Sequence, residues 1–215
     1  MSGGSGYVSD QYFFSSMFSI HNTNNVKLDN IVLDKNFLFD DMMHIIYSSE
    51  IELNRMTFKN AAGDAIDIDI CENVIINESN FFGSKNDGID LMESNVLIKH
   101  VNILNSNDKG ISIGEASSAQ VFDSKLQNNI TGVAIKDGSY SNIKNVTFIN
   151  NAEQVSAYKK NLQYGAGGTV KVSESYFKNK INKFRSENSE INISKSEIVG
   201  EIKKTGDGIL INASK

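Results

Sequence analysis

One motif recurs eight times along this chain: an apolar residue, two polar ones, a small or apolar residue, one polar residue and a large apolar residue. It reads Leu28-x-x-Ile31-x-Leu33, Leu53-x-x-Met56-x-Phe58, Ile76-x-x-Ser79-x-Phe81 and Ile98-x-x-Val101-x-Ile103. It returns as Val121-x-x-Ser124-x-Leu126, Ile143-x-x-Val146-x-Phe148, Val172-x-x-Ser175-x-Phe177 and Ile193-x-x-Ser196-x-Ile198. Successive copies are 25, 23, 22, 23, 22, 29 and 21 residues apart. A fixed period of this length means one structural unit per repeat, each stacked on its neighbours.

Two residues after each large apolar residue stand Lys35, Asn60, Gly83, Asn105, Asn128, Asn150, Asn179 and Gly200. Asn and Gly tolerate left-handed backbone, so one turn per unit demands that conformation, and stacked Asn amides can bond in a ladder. Beyond the turn, apolar residues alternate by two, as in Ile66 and Ile68, Ile89 and Leu91, Ile111 and Ile113, Val133 and Ile135. That alternation is a strand with one buried face. Assigned at 22–23 residues per step, the inward column runs Ile20, Met43, Ile66, Ile89, Ile111, Val133, Val155. The predicted fold is all-β: a single-chain parallel β-helix solenoid of about eight coils of 21–25 residues, with one longer insertion near residues 159–168. The domain spans 18–215, and residues 1–17, with Met1–Gly6, Phe13, Phe14 and Met17, read as a linker or N-terminal cap.

Proline is absent, which suits strands and tight turns, and the lone Cys71 excludes an internal disulfide. The chain has no long apolar run, so no membrane span is expected, and no signal peptide is read at its start. Residues 1–108 hold 16 acids and 6 bases, and residues 109–215 hold 10 acids and 15 bases. The acidic half argues against nucleic acid as the partner, because phosphate would be repelled.

The same register sorts the outward positions. His21, His44, Asp67, Asp90, Ser112, Ala134 and Ser156 fall in one column, and Asp41, Asp64, Asp87 and Lys109 in a second. Asp69 stands one outward position further along its strand, and Asp40 adjoins Asp41. Carboxylates stacked about 5 Å apart repel, so they titrate abnormally or share a cation. Three chemistries fit: calcium on several Asp oxygens; a transition metal or other divalent ion on His21, His44, Asp67 and Asp90; or acid/base catalysis by His44, Asp67 and Asp90, with Lys109 the nearest base. In that scheme His21, Asp41, Asp64, Asp69 and Asp87 line the binding surface. The plainer alternative is that Asp41, Asp64 and Asp87 bond turn amides and the first column is a solvated face. Glu93, Glu115 and Asp137 read as a solvated or turn-capping ladder, His100 as exposed, Cys71 as a buried small residue, and Ser79, Ser124, Ser175 and Ser196 as small residues at core corners.

The Asn turn after the strand resembles the pectate-lyase-like superfamily of right-handed parallel β-helices over residues 18–212. Segments such as Asp64-Ala65-Ile66-Asp67-Ile68 and Asp87-Gly88-Ile89-Asp90-Leu91 also resemble β-helix stretches that accompany CotH-type domains in bacterial envelope proteins. The first resemblance implies acidic-polysaccharide chemistry on an outward sheet face, sometimes with calcium held by aspartates. The second implies a secreted or surface setting and further domains in a longer chain. The Gly-His-Gly segment of polygalacturonase-like hydrolases is absent, as is the Asp-Pro-His-Glu segment of alginate epimerases, and neither Arg55 nor Arg185 falls in the acidic columns. Two functions therefore stand: a binding module for polysaccharide or cell-envelope glycan, a divalent metal, or both; and a lyase or glycoside hydrolase using the His/Asp stripe.

Overall fold

The computed structural model describes residues 7–9, 12–13, 16–36 and 40–213; Met1–Gly6 and Phe14 lie outside them, as do the side chains of residues 7–15. From Phe18 onward the described chain winds as a parallel β-helix without an α-helix. Each regular coil contributes one strand to each of three faces. The face that matters below is built from Phe18–His21, Met43–Ile46, Ile66–Asp69, Ile89–Met92, Lys109–Gly114, Thr131–Lys136 and Glu153–Tyr158. A nine-stranded sheet from Asn24–Asp29 to Ile209–Ala213 forms the second face. Three-residue strands such as Thr57–Lys59 and Asn80–Phe82 form the third.

The core is made of side-chain stacks. Ile66, Ile89, Ile111, Val133, Val155 and Phe184 are strand partners in one line. Leu33, Phe58, Phe81, Ile103, Leu126, Phe148 and Phe177 form another, and every member of both stacks is fully buried. Phe58 lies flat on Phe81 at 4.8 Å between ring centroids, and Phe148 on Phe177 at 4.7 Å.

Three corners close each regular coil, and left-handed residues mark all of them. The predicted corner holds positive φ at Lys35, Asn60, Gly83, Asn105, Asn128, Asn150 and Gly200. The second is the middle of the repeat motif itself, at Asn30, Arg55, Glu78, His100, Asp123, Asn145, Glu174 and Lys195. The third runs through Tyr47, Ile70, Glu93, Glu115 and Asp137. The ladder at Glu93, Glu115 and Asp137 is thus a turn. The corner serines do more than fill space. Ser79 Oγ donates to Asn77 O and accepts the Met56 amide of the neighbouring coil, and Ser124, Ser175 and Ser196 repeat the accepting bond. Cys71 takes a serine position in such a corner: Ser48, Ser94, Ser117 and Ser139 are its counterparts, and it is 1% exposed.

Three expectations are corrected. Asn179 does not take left-handed backbone: the strand Tyr176–Ser186 continues through it, with an irregular register between Lys178 and Ile181, pairing with Thr147–Ile149 at its start and Glu153–Tyr158 at its end. The Asn ladder is partial; Asn128 donates to Asn105 at 3.3 Å, but Asn60 donates to Asp34 and Asn179 to the Asn151 carbonyl. The first coil is out of register by two. Ile20 pairs with Ile45 and Phe18 with Met43, so His21 lies beside Ile46 and Ser19 beside His44. The first coil is 25 residues long throughout, as the Leu28-to-Leu53 spacing states, so a step of 23 misplaces His21.

Candidate functional site

The outward face of the first sheet carries the site. Its leading column runs Ser19, His44, Asp67, Asp90, Ser112, Ala134, Ser156 and Arg185. The column one outward step on runs His21, Ile46, Asp69 and Met92. His21 therefore leaves the predicted set; its ring stands edge-on to Tyr47 at 5.9 Å.

His44, Asp67 and Asp69 come together instead. His44 Nε2 lies 3.1 Å from Asp69 Oδ2 and 3.7 Å from Asp67 Oδ2. One ligand atom from each falls within 4.8 Å of the others, and all three side chains are half-buried. Alternation by two aims Asp67 and Asp69 outward from one strand, and sheet register delivers His44 from the strand beside them. Burial, then the charges of Asp69, Asp41, Asp90 and Asp64, push the Asp67 carboxyl up to about 9. An imidazole and two carboxylates make a mixed N/O donor set that fits a divalent cation, whose charge would relieve this crowding.

Asp41, Asp64 and Asp87 line the turn that enters the sheet, each less than a tenth exposed. Asp64 Oδ1 accepts the Asp87 amide at 2.6 Å, and Asp87 Oδ1 accepts the Lys109 amide at 2.8 Å. Amide binding is thus a real role for this column, but it leaves the carboxylates strained. Burial, followed by the Asp87 charge, raises Asp64 to about 8. Burial raises Asp87 to about 6 against the pull of Lys109, and burial with Asp40 raises Asp41 to about 6. Lys109 ends the column, 3.4 Å from Asp87 and ion-paired with Asp108.

A second lysine, missed in the sequence, ends the other flank. Lys136 is 3% exposed, yet its Nζ reaches 4.0 Å from Asp90. Gly114 makes this possible, since a Cβ there would stand 3.0 Å from Lys136 Cε. Ser112, between Asp90 and Ala134 in the leading column, is fully buried, and its Oγ has no hydrogen-bond partner among the described residues.

Beyond the lysines the face turns basic and aromatic. A cavity of about 580 Å³ is lined by Lys109, Glu153, Ser156, Tyr158, Lys183 and Arg185, among others. The Arg185 guanidinium stacks 4.4 Å over the Tyr158 ring. The inserted loop folds back along the adjoining corner: Asp137 Oδ1 accepts the amides of Lys160 and Asn161, Gly138 N donates to Gly167 O, and Tyr164 reaches Glu93 at 3.4 Å. Tyr158 and Arg185 were legible only once Glu153–Tyr158 and the long strand were set in register.

Comparison with known proteins agrees with this architecture. The model of the right-handed beta helix region matches residues 42–198. No curated protein sequence matches. Among solved structures, PfbA, a surface adhesin of Streptococcus pneumoniae, superposes with a TM-score of 0.52 at 14% identity, covering 77% of this chain and 51% of that one. A second structure of the same S. pneumoniae adhesin gives a TM-score of 0.36 at 12% identity, covering 80% of this chain and 68% of that one. This chain spans about half the length of the first of these neighbours.

Proposed function

The chain belongs to the right-handed β-helix family, and from that premise we propose that it is a binding module of a bacterial surface or secreted protein, holding an acidic glycan against its first face through a divalent cation. The observation that carries this reading is the His44–Asp67–Asp69 cluster, three donor atoms within 4.8 Å of one another beside carboxylates crowded into abnormal protonation. A cation there neutralises Asp67 and Asp69 and keeps valences for oxygens of a ligand. Further along the same face, Tyr158 offers a ring and Arg185, Lys109 and Lys183 offer charge to carboxylates on the same polymer. Lys109 and Lys136 already neutralise Asp87 and Asp90, which leaves the His44 end as the place for the metal.

A second reading rests on Asp67 itself. A carboxyl held protonated near neutral pH beside a second carboxylate suits general acid catalysis of glycoside cleavage. Binding of uronic-acid oligosaccharides, measured with and without chelator, separates the two. The module reading expects divalent-dependent binding, lost in Asp69→Asn, with the oligosaccharide recovered whole. Shortened or unsaturated products would favour the enzyme. Binding indifferent to chelator and to Asp69→Asn would remove the cation from the account.

A further inference from the structure

The cavity at the basic end of the first face has a charge and walls of its own. The strand Tyr176–Ser186 continues past the position where earlier coils take left-handed backbone, and its alternation sets Lys183 and Arg185 outward beside Glu153–Tyr158. The inserted loop brings Lys160 to the same place, fixed by the Lys160 and Asn161 amides that Asp137 accepts. With Lys109 these give four cations against two acids, Asp108 and Glu153, among the described residues that line a cavity of about 580 Å³. Both acids are engaged: Asp108 is paired with Lys109, and Glu153 accepts the Ser156 hydroxyl. Arg185 is paired with Glu187 and lies on the Tyr158 ring. Among the described residues Lys160 and Lys183 form no ion pair, so the cavity holds positive charge that its own acids do not neutralise. Tyr158 and the exposed Ile130 supply apolar wall between the charges.

We infer that this cavity is a second subsite, which takes one acidic sugar unit without a metal ion, the ring against Tyr158 and Ile130 and the acid group toward Lys160 and Lys183. That the ligand is a sugar acid rests on the binding-module reading; the metal-free subsite goes beyond it. The cavity is of the size of small-molecule sites, and a ring beside cations suits a molecule with an apolar C–H face and an anionic substituent. An inorganic anion would leave the apolar walls unused, and a neutral sugar would leave the two lysines unmatched. Along the leading column four strand spacings separate Asp67 from Ser156 on the cavity wall. At about 4.8 Å per spacing, the metal cluster and the cavity stand roughly 20 Å apart. One sugar unit cannot reach both. A chain long enough to span them gains from both, because its second contact is made within one complex. The face therefore selects acidic glycans by length as well as by charge.

Ligand-detected NMR in chelator tests the subsite by itself, with methyl glucuronoside and methyl glucoside as probes and circular dichroism confirming each variant's fold. The acidic sugar is expected to bind at millimolar concentration and the neutral one not to bind. Lys183→Gln and, separately, Lys160→Gln should each weaken the acidic sugar by about three- to tenfold, so either variant serves should the other misfold. In divalent ions, the affinity of uronic-acid oligosaccharides should step up once they span roughly 20 Å, and Lys183→Gln should remove the step. Methyl glucuronoside that binds no better than methyl glucoside, or that binds both variants as tightly as the wild type, would overturn the subsite. Long oligosaccharides held no more tightly than short ones would overturn the selection by length. Binding of the acidic monosaccharide by a protein that no divalent ion stabilises would support the subsite and remove the metal at His44 instead.

Discussion

Lys136 reaches back two coils across Gly114 to stand 4.0 Å from Asp90. A lysine only 3% exposed is costly to desolvate, and the acidic stripe supplies the compensating charge. The stripe is therefore closed at one end by the protein's own cations, Lys109 and Lys136, and among the described residues no lysine or arginine forms an ion pair at its His44 end.

Lys136→Met should make the face more acidic while keeping most of the packing volume. At a separation of roughly 10 Å across partly solvated protein, losing one positive charge should tighten divalent binding by roughly three- to tenfold. Titration calorimetry of the two proteins checks this. Unchanged affinity would mean that Lys136 does not act on the cation site.

Ile70 is a β-branched residue in left-handed backbone, φ 51°, and it is 38% exposed. Its side chain gains little from burial and pays for its conformation. Ile70→Asn should stabilise the protein by about 0.5–1 kcal/mol in denaturant unfolding. A loss of similar size would show that Ile70 contributes packing that outweighs the strain.

Ile89 is fully buried between Ile66 and Ile111. Ile89→Ala should cost about 2–5 kcal/mol in denaturant unfolding, and a loss below about 1 kcal/mol would place this side chain outside a close-packed stack.

Much of this was readable without coordinates, because a solenoid writes its geometry as a period. The stacks through Ile89 and Phe81, the turn at Asn60 and the outward pairing of Asp67 with Asp90 all follow from counting by 22 or 23 and alternating by two. His21 was misplaced because one coil is longer, although the spacing of Leu28 from Leu53 recorded it. The left-handed backbone at two of the three corners was hidden because Arg55, Glu78, Tyr47 and Ile70 are not residues that announce it. Lys136 was hidden for another reason. Its burial depends on a lysine folding back over a glycine in the neighbouring coil, a side-chain path that no single-strand pattern states.

The pH dependence has a definite sign. Asp41 and Asp87 are raised to about 6, Asp64 to about 8 and Asp67 to about 9, each with burial as the first cause. The folded state then binds more protons than the unfolded chain, whose carboxylates titrate near 4, so stability falls as pH rises. Without divalent ions, the melting temperature should drop between about pH 5 and pH 9, most steeply at about pH 5–6, where the unfolded carboxylates are ionised and all four folded ones still hold protons, and level off as Asp64 and Asp67 ionise. Asp67→Asn should flatten that slope and stabilise the protein at pH 8. A melting temperature that climbs over the same range would contradict the crowding of these carboxylates.

The most direct test is the melting temperature at pH 8 in chelator and in a series of divalent ions, for wild type and for Asp67→Asn combined with Asp69→Asn. A cation bound at His44, Asp67 and Asp69 stabilises the folded state by mass action, worth about 5–10 °C at a hundredfold excess over Kd. The wild type should show that rise. The double variant should show none, and in chelator it should melt above the wild type because the repulsion is gone. If no divalent ion moves the wild type and the double variant melts where the wild type does, the stripe is a solvated face and the metal site does not exist.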